Sequence, residues 1–220
     1  MIFVNYKTYA ESTGENALKL SRVLEEVSRS FGIAVIPVPQ TADLAQVAGS
    51  TSLAVWAQHI DPIGYSAHTG WLLPEDAVAA GAKGTFLNHS EHKFSNFEEL
   101  KQAVVRTKEV GLKTLVFAKD IAELKTILEF KPDYVAYEPP ELIGNKEKSV
   151  ASEKPEIISQ ASGLCKLSNI PLIVGAGVHQ KEDVVKSLEL GAIGVAVATD
   201  IVKAQDPKKE IEDLLAGFKK

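Results

Sequence analysis

The chain has 220 residues, 45% hydrophobic and 24% charged, with a formal net charge of −5. That is enough to bury one sizeable core, and the mild acidity lacks the clustered Lys/Arg footprint of a nucleic-acid binder. No run nears the ~18 apolar residues of a membrane helix, so no membrane partner is expected.

The elements follow in order as short apolar runs separated by helical periodicity. Ile2–Asn5 reads as a buried strand. Ala17, Leu20, Leu24, Val27 and Phe31 then recur at helical spacing, and Gly32 ends that helix. Ala34–Val38 is the second strand, and Thr41 is placed to cap a short helix carrying Leu44 and Val47. Leu53–Gln58 is the third strand, followed by a Gly-rich loop from Asp61 to Trp71. Pro74 opens a helix that stops at Gly81. Thr85–Asn88 is the fourth strand, and Asn96 caps the helix after it. Thr114–Phe117 is the fifth, with Asp120 capping the next helix. Tyr134–Tyr137 is the sixth strand, and a helix opens at Pro155. Leu172–Val174 is the seventh, followed by a helix over Gln180–Leu190. Gly194–Ala198 is the eighth, and Asp206-Pro207 begins the last helix.

Eight strand–helix units in unbroken alternation imply a parallel sheet. The strands are continuous apolar runs, as strands covered on both faces should be. Eight units favour a closed (β/α)8 TIM barrel over an open doubly wound sheet, although ~250 residues is the typical barrel length. No linker divides the chain, so residues 1–220 are read as one barrel domain. The single cysteine, Cys165, permits no internal disulfide and reads as a helix packing residue. Residues 1–30 carry no charged-then-apolar leader, so a reducing, cytoplasmic setting is expected. For the same reason the glycosylation pattern at Asn88-His89-Ser90 is read as chance.

The active site of such a barrel forms where the strands end. The first strand delivers Asn5 and Lys7, the fourth His89 and Glu91, and the sixth Glu138. The seventh and eighth deliver Gly175-Ala176-Gly177 and Ala198-Thr199, whose backbone N–H groups suit an anion. Gly175-x-Gly177 is no dinucleotide fingerprint, because Gln180 occupies the place of the third glycine. Spacing gives no metal ligand set. His59, His68, His92 and His179 are read as structural histidines.

The motifs Asn5-x-Lys7, Asn88-His89-Ser90-Glu91 and Tyr137-Glu138-Pro139-Pro140-Glu141-Leu142-Ile143-Gly144 resemble those of the triosephosphate isomerase family in its short archaeal form. The similarity runs in order through the whole chain. It implies interconversion of dihydroxyacetone phosphate and D-glyceraldehyde 3-phosphate through an enediolate, with no metal or organic cofactor. Glu138 would be the base, and His89, at the start of a short helix, the neutral donor to the substrate oxygens. Lys7 would supply positive charge and Asn5 would orient it, with Glu91 in support. Gly144 would add a lid N–H to the phosphate, backed by Ile143. Thr69 would reach a neighbouring subunit, implying a homodimer or a homotetramer formed through the fourth and fifth helices.

Three departures from the family pattern stand out. The lid continues Gly144-Asn145-Lys146. His92-Lys93 follow Glu91 where the family favours Arg, so a supporting ion pair is expected to be missing or altered. Asp200 takes the place of a small residue beside the phosphate loops and is expected to cap the helix there. Two other readings are open on residues alone. One is another phosphate-binding barrel, such as a sugar-phosphate epimerase, which would need metal ligands or a second acid–base pair. The other is a non-catalytic binding barrel.

Overall fold

The computed structural model describes residues 1–139 and 155–219. The lid residues Ile143 and Gly144 and the Asn145-Lys146 departure lie outside them. Eight strands run as β1 (Ile2–Asn5), β2 (Val35–Val38), β3 (Trp56–Ala57), β4 (Gly84–Leu87), β5 (Lys113–Ala118), β6 (Tyr134–Tyr137), β7 (Leu172–Val174) and β8 (Gly194–Val197). Between and after them lie α1 (Glu15–Phe31), α2 (Leu44–Ser50), α3 (Pro74–Ala79), α4 (Phe97–Glu109), α5 (Ile121–Glu129), α6 (Pro155–Leu167), α7 (Lys181–Glu189), α8 (Thr199–Val202) and α9 (Pro207–Ala216). The strands form one parallel sheet in the order β2-β1-β8-β7-β6-β5-β4-β3, curled into a nearly closed (β/α)8 barrel.

Both faces of each strand are apolar because both are covered. Along β1, Ile2 and Val4 pack outward with the helices, while Phe3 joins the barrel interior. The register sets Phe3 level with Ile36 and Ala196 on its neighbours, so interior side chains meet in layers. Aromatic rings fill the interior: Phe3 meets Trp56 edge-on at 5.0 Å, and Phe86 meets Phe117 at 4.8 Å. A Cβ at position 84 would lie 2.5 Å from Trp56 Cε2, so only glycine lets the indole occupy this place.

The helices turn one stripe inward. On α1 this stripe is Ala17, Leu20, Leu24 and Val27, and the helix ends on Gly32 in the left-handed region (φ 68°). Asn96, Asp120 and Asp206 cap α4, α5 and α9 through their side chains. Thr41 does not cap α2. A 3-10 turn over Thr41–Asp43 intervenes, and the Asp43 carboxylate accepts from Gly14 N–H at 3.1 Å instead. Cys165 is buried on α6, where burial pushes its thiol up to about 12. None of the described helices is long and apolar enough to cross a membrane.

The third strand is shorter than the sequence predicts, two residues rather than Leu53–Gln58, because it is laddered on one side only. No ladder joins β2 to β3 among the described residues. Gln58 Nε2 spans the gap by donating to Val38 O at 3.2 Å, Lys7 O at 3.0 Å and Asn5 Oδ1 at 3.3 Å. Among the described residues the barrel ring therefore has a seam, bridged at its C-terminal mouth by the Gln58 side chain.

Candidate active site

The side chains singled out at the strand ends gather at that mouth. Lys7 follows β1 with a left-handed backbone (φ 49°), a strained state for a non-glycine residue. Asn5 holds it there: its Oδ1 accepts from Lys7 N–H at 3.0 Å. The Lys7 ammonium lies 2.6 Å from Glu91 Oε1, so one cation serves both Glu91 and the cavity.

After β4 the chain makes a turn, not the short helix expected, closed by His92 N–H donating to His89 O at 2.9 Å. Glu91 N–H donates to His89 Nδ1 at 3.2 Å. That makes Nδ1 the acceptor and leaves the proton of a neutral ring on Nε2. Nε2 stands 3.6 Å from Glu138 Oε1. Burial pushes His89 down to about 4; Glu91 opposes this, and Lys7 and Lys93 reinforce it. Neutrality therefore comes from burial and nearby cations, with no helix end needed.

Glu138 is 6% exposed at the end of β6. Burial raises its carboxyl from the ordinary 4.5 to about 7, and the Ser90 hydrogen bond and Lys7 pull it back in part. Ser90 Oγ donates to Glu138 Oε2 at 3.0 Å. The site thus holds a neutral N–H donor and a carboxylate whose basicity is set near neutral pH, side by side and shielded from water.

A second carboxylate fixes this turn from behind. Glu123, 8% exposed at the start of α5, accepts from Asn88 Nδ2 at 3.2 Å, Lys93 Nζ at 2.9 Å and Lys119 N–H at 2.6 Å. Asn88 and Lys93 flank His89–His92, so Glu123 holds the turn at both ends. Lys93, one of the two residues that depart from the family pattern here, is thus paired with Glu123. His92 instead stacks on His59, ring centroids 3.9 Å apart.

Gly175, Ala176, Gly177, Ala198 and Thr199 line a cavity of about 90 Å³ together with Asn5, Lys7, His89 and Glu138. Gly177 takes a left-handed backbone (φ 61°). A Cβ on Gly175 would stand in ordinary contact with Glu138 Cβ at 3.4 Å, so this loop lies directly against the Glu138 side chain. Thr199 Oγ1 is tied to Tyr9 OH at 3.0 Å. Asp200 does not cap α8. Its carboxylate pairs with His179 Nδ1 at 2.6 Å, and Ala198 takes the cap position without a side-chain bond. His179, read from sequence as structural, thus stands in the cavity wall. An adjoining cavity of about 630 Å³ is bordered by Lys7, Gln58, Trp71 and Glu91, and Thr69 is exposed on the loop beside it.

Sequence reasoning assigned no role to Ser90, Gln58, Glu123 or the His179–Asp200 pair. Ser90 sat inside a recognised motif, and Gln58 one position past β3. Glu123 had no such signal, since a first-turn helix Glu is common on any surface.

Fold and site together define a parallel eight-stranded barrel with an acid–base pair at its C-terminal mouth. The model of the triosephosphate isomerase family matches residues 1–215. The triosephosphate isomerase of Sulfurisphaera tokodaii is 40% identical over 219 residues, covering 98% of this chain and 93% of the relative. That of Methanothermus fervidus is 40% identical over 217 residues, covering 98% and 97%. That of Saccharolobus solfataricus is 37% identical over 218 residues, covering 99% and 95%. The chain belongs to the triosephosphate isomerase family.

Proposed function

We propose that this chain interconverts dihydroxyacetone phosphate and D-glyceraldehyde 3-phosphate in glycolysis and gluconeogenesis, as one barrel domain over residues 1–220. Glu138 leaves Ser90 and takes the proton from the carbon next to the carbonyl. The electron pair of the broken C–H bond moves into the enediolate, and Glu138 returns the proton to the neighbouring carbon. His89 Nε2–H donates to whichever oxygen carries the developing charge. Lys7, held by Asn5 and Glu91, offsets the charge of phosphate and enediolate. Backbone N–H groups of Gly175–Gly177 and Ala198–Thr199 hold the phosphate, and the carry-over from the family adds Gly144, with Ile143, from the lid. Within this scheme no step needs a metal or an organic cofactor.

The observation that carries the reading is the 3.6 Å approach of His89 Nε2 to Glu138 Oε1, with burial pushing the imidazole down and the carboxyl up. The assembly we infer is a homodimer at least, with Thr69 entering a partner's mouth. Its support is the exposed loop carrying Thr69 and the room beside Lys7. A cytoplasmic setting fits this metabolic role. The test is a coupled assay with glyceraldehyde 3-phosphate, joined to a thermal-shift measurement with phosphoglycolate, an enediolate mimic. Turnover lost in folded Glu138→Gln, and a melting point raised by phosphoglycolate, are the expected results. Unchanged turnover in that variant would overturn the assignment of the base.

A further inference from the structure

The two loops assigned to the phosphate are joined by side chains that the reaction above does not use. His179 follows β7 and Asp200 lies in the first turn of α8, with Nδ1 and Oδ2 2.6 Å apart. Both line the cavity that holds Lys7, His89 and Glu138. The ring's other nitrogen, Nε2, is buried and has no hydrogen-bond partner among the described residues.

The charges around this pair are unfavourable for an incoming phosphate dianion. Among the described cavity residues the cation is Lys7, already 2.6 Å from Glu91. Glu138 and Asp200 bring two carboxylates. On the far side, His179 and Asp200 also border a cavity of about 550 Å³ with Asp206, Lys209 and Glu210, where three carboxylates outnumber one ammonium. Asp183 of α7 accepts from the His179 backbone N–H at 3.0 Å and adds another negative charge nearby. Lys203, just after α8, is turned to the Tyr9 ring, 4.5 Å from its centroid. The group at this end able to change the balance is the imidazole itself. In its neutral form Nδ1–H donates to Asp200 and Nε2 is bare. A proton from solvent on Nε2 cancels the Asp200 charge and places an N–H on the nitrogen that lacks a partner.

We propose that His179 is the proton-loaded counter-charge of the phosphate subsite: a dianionic ligand binds together with a proton on His179, while Nδ1–H stays on Asp200. The inference rests on the phosphate reading of this cavity. It makes affinity for dianions fall as pH rises, by up to roughly tenfold per pH unit for one coupled proton.

Sulfate is the probe, because its charge is constant from pH 6 to 9. Its inhibition constant against glyceraldehyde 3-phosphate is measured across that range in the parent chain, in His179→Gln and in Asp200→Asn. Glu138 titrates in all three and forms their shared background. In the parent chain the constant rises with pH more steeply than in His179→Gln. Asp200→Asn keeps an acceptor for Nδ1–H, removes the repelling charge, and binds sulfate more tightly than the parent at pH 9. A His179→Gln curve parallel to the parent's, or no gain in Asp200→Asn at pH 9, overturns the proposal. If His179→Gln lacks a cooperative melt, Asp200→Asn decides alone. Sulfate failing to compete in every protein overturns the phosphate reading, and this inference with it.

Discussion

Glu138→Gln should remove turnover and stabilise the fold at the same time. The carboxyl rises from an ordinary 4.5 to about 7 in the folded chain, chiefly through burial. The folded state therefore retains a proton that the unfolded chain has lost between those values. The stability this gives is full below the unfolded value and disappears as pH rises through the folded one. At pH 8 the ionised, buried carboxylate costs the fold about 3 kcal/mol relative to its neutral form, and at pH 5 under about 1 kcal/mol. Glutamine has the same shape and no charge, and its amide can still meet Ser90 Oγ. For a domain of this size about 1 kcal/mol moves the melting point by roughly 2–4 °C, so Glu138→Gln should melt roughly 6–12 °C higher at pH 8. Scanning calorimetry at pH 5 and pH 8 reads both shifts. A variant that melts lower at pH 8, or by the same offset at both pH values, would refute burial as the source of the basicity.

Two further perturbations probe the supports of the pair. Ser90→Ala removes a hydrogen bond that lowers the Glu138 carboxyl, so the acid limb of kcat/KM should move to higher pH; an unmoved limb rules that bond out as a tuning contact. Lys93→Met leaves the buried Glu123 carboxylate without its cation, at a cost of roughly 1–3 kcal/mol in melting experiments. It should also lower kcat with little change in KM, and Lys93→Arg should restore both.

The barrel was legible because its signals are repeated and local. Eight apolar runs, each followed by a capped or glycine-ended helix, leave few alternatives, and Asn96, Asp120 and Asp206 cap where their side-chain chemistry predicts. The misses share a physical cause. Thr41, His89 and Asp200 were each read against the next element in sequence, yet the surroundings of all three are set across space. Asp43 turns to Gly14, burial rather than a helix end acts on His89, and Asp200 finds His179 from another loop. The length of β3 was illegible for the same reason, because pairing partners decide where a strand ends. That Asn5, Lys7, His89 and Glu138 gather at one mouth could be read from the strand ends. Their tuning could not, since Glu138 and His89 owe it to how deeply they are buried.

The seam between β2 and β3 gives the active-site residues a second duty. The hydrogen bonds that cross it belong to Gln58, and two of its three acceptors are Lys7 O and Asn5 Oδ1. The Lys7–Glu91 contact ties the strands on either flank, β1 and β4. In effect the barrel is a split ring whose clasp is made from residues of the candidate site. A wider gap would carry the Lys7 ammonium away from Glu91. Substitutions at Asn5 or Lys7 should therefore disturb the closure of the ring as well as the candidate site.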